Sequence, residues 1–402
     1  MKTQKKVRRK KKRLPRVPVE SYFCTHCNKE HFRGLVSKLR FAKHYIMFRK
    51  KEEGKLATKE EIVQKPLPKV SFDGSLKELD TSKRSKDVLD AHNFLKARIV
   101  GQDHAVNSFT NLIAKIEADI CDPYRPRGTY LFLGPTGVGK TRLTEALAEF
   151  FFHSRKKMVK INCGEMATMF SFKKFGARLF YDDNIALRTK SGKQLGLILL
   201  DEIEKSTVLL YKLLLGILDR ASMTIDDQDV DLSHTVIVMT SNLGSKQIME
   251  VLSKHKRTIE KAQGQIDRSI HKEMHHNAVH AATERFSPEF FNRLDEVVVF
   301  NPLLKEQLHQ IVEMEMQAIE QRLVAHDIRI KCGDHATDYL LQEGTDVRYG
   351  ARHLRRALER LVVQPIAHMI TTGQLKQHSR VKILYQSGKL HFRKVSHGTS
   401  SR

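Results

Sequence analysis

Eight consecutive residues, Gly134-Pro135-Thr136-Gly137-Val138-Gly139-Lys140-Thr141, have the types and spacing of a polyphosphate cradle. Glycines let backbone N–H groups turn toward phosphate oxygens with no Cβ in the way. The octet stands between an apolar, strand-like run at 130–133 and a helical run at 142–152. The helix start therefore adds unpaired donors and the positive end of its dipole. In such a loop the lysine, here Lys140, reaches the β- and γ-phosphates, and the hydroxyl of Thr141 ligates Mg²⁺. About 60 residues on, four apolar residues (197–200) end in Asp201-Glu202. An acid at the end of a buried strand completes the site: Asp201 would hold Mg²⁺ through water, and Glu202 would polarise the attacking water.

Two other groups of residues have metal-ligand chemistry. Cys24 and Cys27, two residues apart, make half of a tetrahedral zinc site that His31 and His44 would complete, with His26 as a further candidate. The histidines stand 13 positions apart, wider than the second pair of most zinc fingers, so a small helical adaptor with two incidental thiols is the competing reading. Further along, His271/His275 and His276/His280 each fall at i, i+4 on a helix, a spacing that binds metal. No acid or cysteine is built into that pattern, and histidines on a solvated helix are the plainer reading.

The elements that must position these groups alternate. Strand-like runs at 130–133, 158–161, 197–200 and 236–239 are interleaved with helical runs at 142–152 and 208–218. That alternation predicts an α/β domain at 97–302, a parallel sheet flanked by helices. From 303 to 394 the pattern is mainly helical (305–325, 335–342, 351–371), with strand-like pieces at 328–331, 381–385 and 390–393. The last two predict a hairpin around Gln386-Ser387-Gly388, so this is a smaller α+β domain. Residues 51–96, polar and broken by Pro66 and Pro68, are expected to be linker with short helices.

Charge is unevenly placed along the 402 residues. Residues 1–60 hold 20 Lys/Arg against 5 Asp/Glu, a balance of +15 within a net +25. Residues 1–20 predict a disordered basic tail, because ten cations between 2 and 16 leave too little apolar surface to offset ordering entropy. Nucleic acid, anionic lipid and an acidic protein face all suit such a tail, as does plain solvent. Residues 21–50 predict a small zinc-binding or helical module, and 395–402 a short tail. Five cysteines, an odd number in a long chain, point to a reducing compartment. No apolar run reaches the roughly 18 residues of a membrane span, and the N-terminus never turns apolar. The expectation is a cytoplasmic protein.

From about 98 to 393 the chain resembles the C-terminal AAA+ module of the Clp family of ring unfoldases and disaggregases. The resemblance rests on Ile99-Val100-Gly101-Gln102, on 131–141, and on Leu199-Leu200-Asp201-Glu202-Ile203-Glu204-Lys205. It continues in Met239-Thr240-Ser241-Asn242-Leu243-Gly244-Ser245, in Pro288-Glu289-Phe290-Phe291-Asn292-Arg293-Leu294-Asp295-Glu296 and in Tyr349-Gly350-Ala351-Arg352. It implies ATP with Mg²⁺, hydrolysis, a hexameric ring built from copies of the chain, and polypeptide substrates. Val100 and Gly101 would line the adenine pocket. Asn242 would be the first sensor and Arg352 the second. Arg293 would be an arginine finger reaching the neighbouring subunit's site, against a bland alternative of a surface ion pair.

The chain also departs from that family. Where an aromatic pore loop is expected it offers Phe180 and Tyr181 followed by Asp182, in a stretch about four residues short. Either the two rings grip polypeptide or they pack inside the subunit. No exposed apolar-Gly-apolar tripeptide for docking a Clp peptidase occurs between 243 and 286. The nearest match, Leu195-Gly196-Leu197, leads into the strand before Asp201 and is expected to be buried. The other class of function left open is a remodeller of nucleic acid, recruited through the basic N-terminal region.

Overall fold

The computed structural model describes residues 21–24, 29–32, 77–166, 186–189, 191–225, 228–262, 266–344 and 351–395. Phe180, Tyr181, Cys27, His44 and the basic tail lie outside them. Two compact units divide the chain, 1–79 and 80–402. In the first, β1 (Ser21–Cys24) and β2 (Lys29–Phe32) form an antiparallel hairpin, with Cys24 opposite Lys29 and Tyr22 opposite His31.

The second unit begins with α1 (Lys86–Lys96), capped by the Ser85 hydroxyl, which accepts from the Val88 N–H. Val88, Ala91 and Leu95 repeat at helical spacing and bury one face in the core of the large domain. This helix falls in the stretch expected to be linker with short helices, and its apolar face packs into the large-domain core. Next come α2 (Asp103–Ala118), β3 (Gly128–Leu133), α3 (Lys140–Phe152), β4 (Val159–Asn162), β5 (Leu187–Arg188) and β6 (Gln194–Asp201). After α4 (Val208–Arg220) a small hairpin, β7 (Ser222–Ile225) and β8 (Gln228–Asp231), precedes β9 (Thr235–Ser241). Then follow α5 (Ser245–Lys254), α6 (Lys256–Lys261), α7 (Arg268–Thr283), α8 (Pro288–Phe291) and β10 (Glu296–Val299).

The main sheet runs β10-β3-β9-β6-β4, all parallel, with β5 antiparallel against β6. Its strands are buried on both faces. Along β3, Leu131 and Leu133 enter one apolar cluster while Tyr130 and Phe132 enter the other, across the sheet. This is why the strands are continuous apolar runs rather than alternating ones. On the second face the rings of Phe109, Phe132 and Phe300 pack with centroids 5.5 and 4.9 Å apart. β3, first of the main strands in sequence, lies inside the sheet between β10 and β9. The chain order reverses there, and the carboxyl ends of β3, β9 and β6 open on one crevice.

The small domain consists of α9 (Lys305–Leu323), β11 (Arg329–Cys332), α10 (Asp334–Gly344), α11 (Ala351–Leu358), α12 (Gln364–Thr371), β12 (Arg380–Gln386) and β13 (Lys389–Lys394). α11 and α12 are joined by one π turn at Glu359–Val363, where Pro365 denies the helix a backbone donor. The β12–β13 hairpin turns on Ser387 and Gly388, both with positive φ, at the predicted place. The α/β domain followed by an α+β domain is thus observed as expected.

Candidate active site

The crevice at the ends of β3, β6 and β9 gathers the P-loop, the acidic pair and Asn242. Gly139 precedes α3 with φ +107°, a conformation only glycine adopts without strain, and a Cβ built there meets nothing within 4 Å. Beside that open space α3 starts with no side-chain cap, so its first N–H groups are available to an anion. The Lys140 ammonium is buried and donates to the carbonyls of Gly134 (2.5 Å) and Pro135 (2.7 Å) and to Asn242 Oδ1 (3.0 Å). Uncapped helix donors, open space beside Gly139 and a buried cation fit a polyphosphate.

The Mg²⁺ residues fit as well. Thr141 Oγ1 faces Asp201 Oδ1 at 3.5 Å, where both oxygens can share one cation's shell. Asp201 Oδ1 also accepts from Thr240 Oγ1 at 2.5 Å, and its Oδ2 pairs with Lys160 Nζ at 3.4 Å. Glu202, next along, sits in the left-handed region (φ 58°, ψ 52°), a strained backbone for a side chain of this type. Its N–H donates to Thr240 Oγ1, and its carboxylate pairs with Lys205 Nζ at 2.7 Å. That pairing lifts the ammonium of Lys205 above its ordinary range.

The junction of the two domains closes over the same loop. Gln102, fully buried, donates to Val138 O (3.4 Å) and Asn301 O (2.9 Å) and accepts from the Asn301 N–H. It ties the P-loop to the segment that leaves the sheet for the small domain. Gly101 (φ +73°) comes so close to α9 that a Cβ would lie 2.6 Å from the Gln307 side chain. Gly101, with Val100 before it, therefore lies where the large domain meets α9. From the small domain, the N–H of Ala351 donates to Gly137 O at 3.3 Å, so the backbone at the start of α11 brings Arg352 beside the P-loop.

Arg293 is elsewhere. Its guanidinium donates to Leu215 O and Glu289 Oε1, each at 2.6 Å, and lies 3.8 Å from Asp219. Within one subunit it makes the bland ion pair and no contact with the P-loop among the described residues. Two histidines of α7 make contacts within the large domain. His271 packs edge-on against His104 with ring centroids 4.7 Å apart, and His275 donates to Val297 O. Among the described residues no cluster of three or more His, Cys, Asp or Glu is arranged for a metal ion. In the hairpin of the first unit only Cys24 and His31 of the four expected zinc ligands are described. Leu195 and Leu197 are fully buried in β6, as expected of the Leu-Gly-Leu triplet.

Thr240, Gln102, Lys160 and Glu204 belong to the site but carried no role in the sequence reading. Thr240, Gln102 and Glu204 lie inside the sequence motifs above, where their position is the available signal. The pairing of Lys160 with Asp201 needs the β4–β6 register and had none.

With this geometry in hand, residues 125–297 match the family described as AAA domain (Cdc48 subfamily), and 303–383 match the C-terminal, D2-small domain of ClpB protein. The chain is 37% identical over 293 residues to the chaperone protein ClpB of Pseudomonas putida, covering 71% of this chain and 32% of that one. It is 35% identical over 316 residues to ClpB of Bdellovibrio bacteriovorus (77% and 35%). Against ClpB 2 of a Nostoc species it is 32% identical over 351 residues (85% and 39%). The fold and the matched segment define a nucleotide-binding domain of the AAA+ class. Within that class the chain resembles the C-terminal part of the ClpB proteins, whose D2-small domain its residues 303–383 match. It spans about a third of the length of the curated relatives it matches. No helix among the described residues is long and apolar enough to cross a membrane.

Proposed function

We propose that the chain binds ATP with Mg²⁺ between its two domains, hydrolyses it within a homomeric, hexameric ring, and uses the energy to unfold or remodel polypeptides. The observation that carries this reading is the single crevice in which Lys140, Thr141, Asp201, Glu202 and Asn242 meet. Lys140 and the uncapped start of α3 bind and orient the phosphates. Thr141 and Asp201 hold Mg²⁺, which when bound neutralises charge on the phosphate oxygens. Glu202 takes a proton from the attacking water, and Asn242 orients that water. Val100 and Gly101 seat the base, and Arg352 reports nucleotide state to the small domain. Arg293, engaged only within its own subunit here, serves the neighbour's site. Phe180 and Tyr181 grip the polypeptide.

The ClpB relatives, named chaperones, support a protein substrate, and the reading places the protein in the cytoplasm. The test is ATP turnover with and without an unfolded polypeptide. Stimulation supports the proposal, and turnover indifferent to polypeptide contradicts the substrate class. One observation favours a second reading: the +15 concentrated in residues 1–60 suits a nucleic-acid partner. DNA or RNA affinity that falls steeply with salt and vanishes on deleting that region would support it. Zinc at Cys24, Cys27, His31 and His44 is proposed on the placement of Cys24 at the turn end of the β1–β2 hairpin. Elemental analysis of the full chain should find one zinc, lost in Cys24→Ser.

A further inference from the structure

Asn242 is held from two sides by groups of opposite kind. Lys140 Nζ, which can only donate, points at its Oδ1 (3.0 Å). Glu204 Oε1, which can only accept while ionised, takes both the Asn242 backbone N–H (3.2 Å) and the side-chain Nδ2 (3.4 Å). The Asn242 carbonyl is fixed separately by the N–H and hydroxyl of Ser245. The main chain of Asn242 is thus pinned at both ends, and its amide keeps one freedom: rotation about its own side-chain bonds. We propose that Glu204 is a positioning residue for hydrolysis, removing that freedom by fixing the Asn242 amide with its oxygen toward Lys140 and its nitrogen away.

Three observations support this. Glu204 comes from the short 3₁₀ turn Ile203–Lys205 that follows the catalytic Asp201-Glu202 pair, anchored by fully buried Ile203. Its own carbonyl accepts from Arg285 Nη2 at 3.2 Å, which holds the turn from outside. Its second oxygen, Oε2, is buried with no hydrogen-bond partner among the described residues. A carboxylate half-satisfied beside an ATP site is costly for folding alone, and such groups are kept where they orient something. When a triphosphate draws Lys140 off Asn242, Glu204 keeps hold of the amide. Asn242 then meets the γ-phosphate and its water from one fixed orientation.

This inference rests on the hydrolytic reading above, and the test separates the two. Glu204→Ala should lower kcat roughly 10–100-fold, the range for losing hydrogen bonds to a charged group, with ADP affinity within about twofold. Glu204→Gln keeps an oxygen acceptor for both Asn242 donors and should recover most of the turnover. In an Asn242→Ala background Glu204→Ala should cost nothing further. A second measurement needs no turnover: in a Glu202→Gln background, Glu204→Ala should lower ATP affinity several-fold relative to ADP. Wild-type kcat in Glu204→Ala overturns the proposal, as does full additivity with Asn242→Ala, or parallel loss of ADP and ATP binding. If the unaltered chain binds ATP but turns none over, the hydrolytic reading fails, and the ATP-to-ADP affinity ratio still decides the role of Glu204. Binding of neither nucleotide overturns both.

Discussion

Arg293 and Glu289 face each other across one turn, Nη2 to Oε1 at 2.6 Å, and Arg293 is further bound to the carbonyl of Leu215 on α4. In the isolated chain this arginine is therefore held by its own subunit. An arginine finger acting in trans must be presented by that clamp, with Glu289 and α4 setting where it points.

If so, Arg293→Ala should leave nucleotide affinity within about twofold and lower kcat by about 10³-fold or more, as for arginine fingers elsewhere. Mixing Arg293→Ala chains with Glu202→Gln chains should restore turnover, since one supplies the acid and the other the guanidinium. Equal loss of binding and turnover, without rescue on mixing, would mean that the arginine only holds α8 to α4.

If Asp201 holds Mg²⁺ as proposed, Lys160 competes with the ion for its carboxylate. The pair lies at 3.4 Å with the lysine 44% exposed, so it is worth less than about 1 kcal/mol. Lys160→Met should therefore lower the Mg²⁺ concentration for half-maximal turnover by a few-fold at most. A rise instead would show that Lys160 helps hold the carboxylate in its metal-binding position.

Gly139→Ala tests the cradle. At φ +107° an L side chain strains the backbone, at a cost of about 1–3 kcal/mol, and its Cβ enters the space left for phosphate. Nucleotide affinity should fall at least tenfold, measured by fluorescence titration. Unchanged affinity would remove this glycine from the binding surface.

His104 gives the large domain a pH dependence. Burial, then the neighbouring His271, hold its pKa down at about 4, although its bond to Val299 O works the other way. His275 adds to the lowering and Asp103 opposes it. The folded state prefers the neutral ring, so stability is full above the unfolded value near 6.5 and erodes as pH falls from there to 4. The loss is on the order of 3 kcal/mol. Denaturant unfolding of His104→Gln should show a shallower fall over that window, and an identical slope would exclude His104 as the cause.

Much of the fold was legible because its physics is local. The strand–glycine–helix pattern around Lys140 and the apolar runs of β6 and β9 carry their own period and length. β10 was overlooked although Val297, Val298 and Val299 are a short β-branched run. Four residues give too little pattern to separate a strand from the motif beside it. Short helices are expected over 51–96, but that Val88, Ala91 and Leu95 of the helix at Lys86–Lys96 form a buried face shows only once its packing partner is known. Within the site, motif position found Lys140, Thr141, Asp201, Glu202 and Asn242. Lys160 meets Asp201 only through the β4–β6 register, which no spacing along the chain encodes, whereas Glu204 lies inside the motif that follows Asp201 but reaches Asn242 only once β6 and β9 are paired.

The most direct test is ATP turnover per subunit measured across protein concentration, with assembly followed in parallel by light scattering. If Arg293 completes the Lys140 site of a neighbour, the rate per subunit should be near zero for monomer and rise in step with ring formation. A rate per subunit that stays constant down to concentrations where the chain is monomeric would contradict that account.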